Sequence, residues 1–243
     1  MNVAGALEFG HEDRERIYEY VESHGAVTRD EVEDALGVDP GGVRHHLAIL
    51  RRDGLLVEAE GRLRLALDAG EEEEHRGDDV AFSIRPARQE DLSGIVGAIR
   101  QVARDGGYIE AESVAQEVDH DQALLRHNEL ESRMFFVACV GGDVVGWVHL
   151  SAPELEKLDH AARLTVGVLE EYRGVGVGSQ LLARGTAWAA DNDLERLYNN
   201  VPATNERAIA FLEGHGWEVE AVREDHYKMS GDHVDEGMMA YRL

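Results

Sequence analysis

The run from Val168 to Leu182 holds the residues whose spacing most clearly suggests chemistry: Val168-Leu169, then Arg173-Gly174-Val175-Gly176-Val177-Gly178-Ser179, then Gln180-Leu181-Leu182. It reads as a buried strand that ends in a glycine loop and opens a helix. In that geometry the loop amides and the first unpaired N–H groups of the helix point outward, and the helix dipole adds partial positive charge, so the chemistry is the binding of a phosphate. Glycines at 174, 176 and 178 let a pyrophosphate approach the backbone without meeting a side chain. Two glycine-loop types are disfavoured by the letters. There is no Gly-Lys-Ser/Thr ending, as an NTP-binding P-loop requires, and the third glycine and downstream acid of the dinucleotide fingerprint are missing.

The loop needs a sheet to carry it, and from Val80 onward the pattern supplies one. Residues 81–85 read as a strand, 90–104 and 111–127 as helices, and 134–140 with 144–150 as a hairpin turning at Gly141-Gly142-Asp143. Residues 161–169 then lead into the loop, and 178–190 follow it as a helix. A strand at 197–201, a helix at 205–214 and strands at 217–228 and 237–242 complete the order.

Arg-x-x-Gly-x-Gly, from Arg173 to Gly178, resembles the acetyl-CoA signature of the GNAT superfamily of N-acetyltransferases. The Val144-Val145-Gly146-Trp147 strand, Thr204-Asn205-Glu206-Arg207 with Gly216-Trp217 after it, and the closing Val234 to Met239 resemble that family in the same order. The resemblance implies a GNAT fold: an α/β (α+β) domain around a central mixed, mostly antiparallel sheet. It implies acetyl-CoA as cosubstrate, with Val166, Gly167 and Val168 offering strand backbone to the pantetheine and acetyl groups where two strands splay apart. It further implies that the Val168 amide stabilises the oxyanion, that Arg173, Gly174, Val175, Gly176, Val177, Gly178 and Ser179 hold the pyrophosphate, and that Asn205 bonds the pantetheine arm.

The chain departs from the family where protons move. The usual acid, a tyrosine seven residues after the helix-start asparagine, is Leu212 here, and a glutamate used as base in some members is matched by Asn200. Orientation and a thiol leaving group can sustain turnover without them. Substitutes come from His149, Glu154, Glu156, His160, Tyr198, Tyr227 and Tyr241. Tyr227 is the leading acid and His149 the leading base.

Residues 68–79 contain no large apolar residue and read as an acidic linker between an N-terminal domain, residues 1–67, and the acetyltransferase domain, residues 80–243. Upstream, Arg14 to His24 has one apolar helical face, Thr28 to Glu31 is a capping box that starts a second helix, and Asp39-Pro40 opens a third with Val43, His46, Leu47 and Leu50 inward. Period-two alternation around Gly61 then suggests a hairpin. Three helices and a hairpin resemble a winged helix-turn-helix. The third helix would be the reader of double-stranded DNA through residues 40–64, with Arg44, His45, Arg51 and Arg52 outward and Arg62 and Arg64 on the wing. Contact with another protein, or dimerisation, is the competing use of that face.

Aspartate and glutamate total 49 against 24 lysine plus arginine, a net charge of −25, and lysine is confined to Lys157 and Lys228. This acid-rich, lysine-poor balance resembles proteins of haloarchaeal type, whose self-repulsion is screened by molar salt. An acidic coat of that kind does not identify a basic substrate. Cys139 is the only cysteine, which excludes an intrachain disulfide and a cysteine metal cluster, and no metal is expected. No signal peptide or membrane span is apparent, so a cytoplasmic location is expected, with a homodimer left open. The function expected is acetyl transfer to a primary amine by an enzyme carrying a DNA-binding or regulatory winged helix. The alternative is a DNA-binding regulator whose GNAT domain senses acetyl-CoA.

Overall fold

The computed structural model describes residues 9–59, 61–66, 70–77, 80–104, 107–128, 130–153, 155 and 157–243. Glu154 and Glu156 lie outside them. No described helix is long and apolar enough to cross a membrane.

The N-terminal unit is α1 (Glu12–His24), α2 (Arg29–Leu36), α3 (Pro40–Arg52) and an antiparallel hairpin of β1 (Leu56–Ala59) and β2 (Arg62–Leu65). Local chemistry sets each boundary. Thr28 and Glu31 form the reciprocal capping box that begins α2, and the Asp39 carboxylate accepts from the amides of Gly41 and Gly42 at 3.0 and 3.1 Å to begin α3, with Pro40 at its first position. Ile17, Val21, Val32, Val43, Leu47, Leu50, Leu56 and Leu63 bury together as its core. An isolated bridge from Val27 to Leu63 ties the hairpin back to the helices.

The larger unit runs β3 (Glu73–Arg76), β4 (Ala81–Pro86), α4 (Leu92–Ala103), α5 (Ile109–Asp121), β5 (Arg126–His127), β6 (Glu131–Val140), β7 (Asp143–Pro153), β8 (Ala161–Val168), α6 (Val177–Asp191), β9 (Arg196–Pro202), α7 (Glu206–Glu213), β10 (Glu218–Met229) and β11 (Asp232–Arg242). The strands lie in the order β10-β11-β9-β8-β7-β6-β4-β3, with the short β5 also on β6. Every pairing is antiparallel except β8 with β9. α4 and α5 cover one face, where Ile95, Ile99, Val114, Val118, Phe135 and Trp147 are buried. α6 and α7 cover the other, over Val148, Leu150, Leu164 and Leu197.

Two expectations need correction. Residues 73–76 of the acidic stretch form an edge strand on β4, because its backbone completes an otherwise open edge while three of its four side chains stay in solvent. The helix expected at 111–127 starts at Ile109 and stops at Asp121, where Gln122 turns left-handed. Gln89 holds that exit, donating to the Gln122 carbonyl at 2.6 Å and accepting from the Leu124 amide at 3.2 Å.

The segment after α5 is fastened from both domains. Arg133 is 1 % exposed, donates to the carbonyls of Leu124 and Ala123, and pairs with Glu117 at 2.6 Å and Asp121 at 3.0 Å. From the N-terminal unit, the Tyr18 hydroxyl donates to the His127 carbonyl at 2.7 Å, and Glu22 accepts from Arg126 and Asn128. Replacing Arg133 by Met strands two carbonyls and a half-buried carboxylate cluster. Arg133→Met is expected to lower the unfolding free energy by about 3 kcal/mol, the lower end for a broken buried ion pair because Glu117 remains solvated. Urea denaturation in concentrated salt measures it, and a change below ~1 kcal/mol would deny the segment its anchor.

Candidate active site

The β8–β9 pairing begins at Ala161↔Arg196 and ends at Arg163↔Tyr198. Beyond it β8 stays with β7 as far as Val168, and β9 follows β11 along its whole length. The sheet therefore splits. The ladder alternation fixes what the split exposes: Gly146 stands opposite Val168, and the Leu169 amide donates to the Val145 carbonyl. The N–H and C=O groups of Val166 and Val168 must then face away from β7, into the gap.

A cavity of about 370 Å³ occupies the gap. Its walls are β8 (Thr165, Val166, Gly167, Val168), the loop and first turn of α6 (Arg173, Gly174, Gly176, Gly178, Ser179), β9 (Asn199, Asn200, Val201), α7 with its cap (Asn205, Arg207, Ala208, Phe211, Leu212), and the start of α5 (Gly107, Tyr108, Glu110, Ala111). The expected residues Val166, Gly167, Val168, Arg173, Gly174, Gly176, Gly178, Ser179 and Asn205 are brought together here. Val175 and Val177 are not in the wall, because their side chains turn into the core beneath the loop.

The loop keeps its glycines for two reasons. Gly174 and Gly176 have φ of +81° and +94°, a region costly for side-chain residues, and the space where each Cβ would stand is empty. Gly176 also caps α6 without a side-chain acceptor, which leaves the first amides of that helix free. A glycine at 167 is required from below, since a Cβ there would lie 2.2 Å from the buried Trp147 ring. Arg173 closes the loop by donating from Nε to the Val168 carbonyl at 2.8 Å. His215 donates from Nδ1 to the Phe211 carbonyl at 2.7 Å, and its Nε2 meets the Ser179 hydroxyl at 2.9 Å.

Asn205 has two partners, one local and one distant in sequence. Its Oδ1 accepts from the Ala208 amide at 3.1 Å and its Nδ2 donates to the Gly107 carbonyl at 2.7 Å, so it joins the α7 cap to the loop before α5.

The two leading proton-transfer candidates lie outside the cavity lining. His149 sits on the α4/α5 side of β7, 3 % exposed, its ring 4.5 Å from Phe135 and its Nδ1 3.5 Å from the Thr165 hydroxyl. Burial, with Arg133 and Arg163 adding to it, lowers its pKa to about 3. Tyr227 donates to the buried Glu236 at 2.5 Å, and burial together with that bond holds its phenol well above the ordinary range. Glu236 also takes Arg223 at 2.8 Å. His160, Tyr198 and Tyr241 are not in the wall either.

A carboxylate that sequence reasoning passed over is in the wall. Glu110, in the first turn of α5, accepts from Asn200 Nδ2 at 3.0 Å through Oε1, while Oε2 is buried without a hydrogen bond, 3.5 Å from Arg163 Nε. Burial raises its pKa above the usual carboxylate range, opposed by Arg163 and Asn200 and assisted by Glu236. The signal available in the sequence was the departure at Asn200: an amide at that position can position an acid brought from another element. Tyr108, beside it, is the only tyrosine in the lining.

On the N-terminal unit Arg44, His45, Arg51 and Arg52 are exposed on α3. Arg51 pairs with Glu58 at 2.8 Å and Arg52 with Asp53 at 2.8 Å, while Arg44 donates to the Pro40 carbonyl. Arg62 and Arg64 border a cleft of about 800 Å³ between the two units, opposite Arg85 and Arg88.

The Acetyltransferase (GNAT) family matches residues 93–217 and a helix-turn-helix domain matches residues 9–59. An L-amino acid N-acetyltransferase of Escherichia coli is 30% identical over 43% of this chain and 65% of its own length. An N-alpha-acetyltransferase of Sulfurisphaera tokodaii is 34% identical over 45% of this chain and 70% of its own length. The structure of yncA from Salmonella typhimurium with its cofactor acetyl-CoA superposes with a TM-score of 0.55 at 18% identity, covering 67% of this chain and 94% of that one. The split sheet and uncapped glycine loop, together with the family match across half of the sequence, establish that this chain belongs to the GNAT acetyltransferase family and carries a helix-turn-helix domain ahead of it.

Proposed function

We propose that the chain transfers an acetyl group from acetyl-CoA to a primary amine, with Glu110 as the base that takes the proton from that amine. Acetyl-CoA supplies the activated acetyl thioester. Free amides at the start of α6, with Arg173 and Arg207 beside them, suit its pyrophosphate, and the unpaired edge of β8 suits the pantetheine arm. The Val168 N–H, aimed into the gap, is the donor for the acyl oxygen as charge develops on it. Tyr108 takes the place of the tyrosine missing at Leu212 as proton donor.

The observation that carries this reading is the half-buried carboxylate of Glu110 in the wall of the same cavity, anchored by Asn200. A carboxylate attracts an ammonium group, and one with a raised pKa is a stronger base than an exposed one. The two curated relatives are named for α-amines, so free amino acids and peptide N-termini come first among acceptors, with lysine peptides and polyamines after them.

Glu110→Gln keeps the Asn200 contact and removes the base. It is expected to lower kcat about a hundredfold with the KM for acetyl-CoA unchanged, measured by thiol release in high salt. In the wild-type chain kcat/KM should rise with pH through the raised Glu110 value, since only the ionised carboxylate accepts a proton, and that limb should vanish in the variant. An unchanged profile would remove Glu110 from the reaction.

The exposed arginine face of α3 supports a second role, binding of double-stranded DNA through residues 40–64. Arg44→Ala with Arg51→Ala is expected to weaken duplex binding and to reduce the slope of log affinity against log salt by about 2, one for each phosphate no longer neutralised. Unchanged affinity and slope would leave that face to protein contacts.

A further inference from the structure

His46 is an anomaly in the N-terminal core. It lies in the middle of α3, 7 % exposed, and among the described residues neither ring nitrogen makes a hydrogen bond; Nδ1 is buried outright. The nitrogen on the Asp13 side is Nε2, and with no hydrogen bond to the described residues it is open to a partner from outside the chain. What stands beside it is a carboxylate and a second imidazole. Asp13 Oδ2 is 3.8 Å from His46 Nε2 and 3.8 Å from His11 Nδ1, and the two imidazole rings are 4.6 Å apart.

We infer that His11, Asp13 and His46 form a site for a divalent transition-metal ion, zinc before others, that ties the start of α1 to the middle of α3. One donor atom from each residue lies within 4.8 Å of the other two, and among the described residues no other group of histidine, cysteine and carboxylate donors is so close. Zinc bonds to imidazole and carboxylate of roughly 2.0–2.2 Å place ligand atoms about 3.4 Å apart in a tetrahedron, so side-chain rotations of small amplitude close the set. The donors themselves fit: imidazole nitrogens and one carboxylate favour zinc and its neighbours over calcium or magnesium, which take oxygen shells.

Asp13 is already oriented for this. Its Oδ1 accepts from Arg16 at 3.2 Å, which leaves Oδ2 facing the histidines. His11 is fixed over the helix start, where Nδ1 accepts from the Asp13 amide at 3.1 Å. The lone pair of Nδ1, 3.8 Å from Asp13 Oδ2, can exchange that cap for the ion. Three protein ligands leave a fourth position for water or a small anion. The expectation of no metal rested on the lone cysteine, whereas these donors are histidines and a carboxylate from separate helices. Because α3 carries Arg44, His45 and Arg51, an ion here fixes the helix that presents them.

Titration of the full chain with cobalt(II), and zinc competition against it, tests the site in buffer with molar potassium chloride, which suppresses diffuse binding to the acidic surface. One equivalent should bind per chain with the visible absorption of a four-coordinate ion, displaced by zinc, and zinc should raise Tm. His11→Asn retains a capping side chain and Asp13→Asn retains its shape, so both should stay folded by circular dichroism yet lose at least tenfold in affinity and the visible band. If the wild-type chain takes up no more cobalt than these variants, or shows only the spectrum of hydrated cobalt, the cluster is not a metal site.

Discussion

Everything at the cavity depends on one break in hydrogen bonding, the parting of β8 from β9 after three paired residues. Neither strand is loose. β9 is paired with β11 along all seven of its residues, and β8 is paired with β7 from Arg163 to Val168. Each strand is held by its outer neighbour, and the two outer neighbours diverge with the sheet's twist. Apart from the Val168 carbonyl, which Arg173 takes, the inner edges are left with backbone groups that no neighbouring strand pairs, at a cost of about 1–3 kcal/mol for each one buried unpaired. Such an edge is stable only when water or a ligand completes it, and for that reason the opening is the part of the sheet that can bind something.

The layers around the break hold it open. Gly167 can lie flat on Trp147 only because it has no side chain, and Gly146 faces the same constraint from its neighbours, the Gly167 carbonyl at 2.9 Å and Leu181 at 3.0 Å from where a Cβ would stand. α5 then roofs the gap with its first turn while Arg133 fixes its last. The segment that Arg133 secures is also where Tyr18 and Glu22 of α1 attach, and Leu125 packs against the cores of both units. A displacement of α1 would therefore reach α5, and with it Glu110, through packed and hydrogen-bonded contacts rather than through solvent.

Much of this was legible in the residues. The glycine loop carries its own signature because φ above zero restricts residue choice, and the capping box at Thr28 and the Asp39-Pro40 helix start are equally local. What was not legible depends on contacts distant in sequence. Glu110 meets Asn200 only through the fold, and no periodicity in α5 separates it from Glu112, which faces solvent. His149 illustrates the converse error: residue type suggested a base, but its place in the alternation of β7 sets it beside Trp147 in an apolar layer, where protonation is suppressed. Residues 73–76 show composition overridden by pairing, since even four polar residues will form a strand when an open edge offers hydrogen bonds and their side chains remain wet.

The charge balance sets the terms on which the N-terminal unit can meet a polyanion. At −25 the chain as a whole repels one, and the arginines of α3 are themselves partly neutralised: Arg51 by Glu58, Arg52 by Asp53. Attraction at long range is therefore weak in dilute buffer, and at molar salt a screening length of about 3 Å removes both the repulsion and any steering. What survives is contact. Binding on this face would have to come from arginines that leave their internal partners for base edges or phosphates at hydrogen-bond distance, so the exchange gains little overall except where the geometry is right. A surface of this kind would discriminate well and bind weakly elsewhere, because the acids that neutralise it would be released only when a better partner is in place.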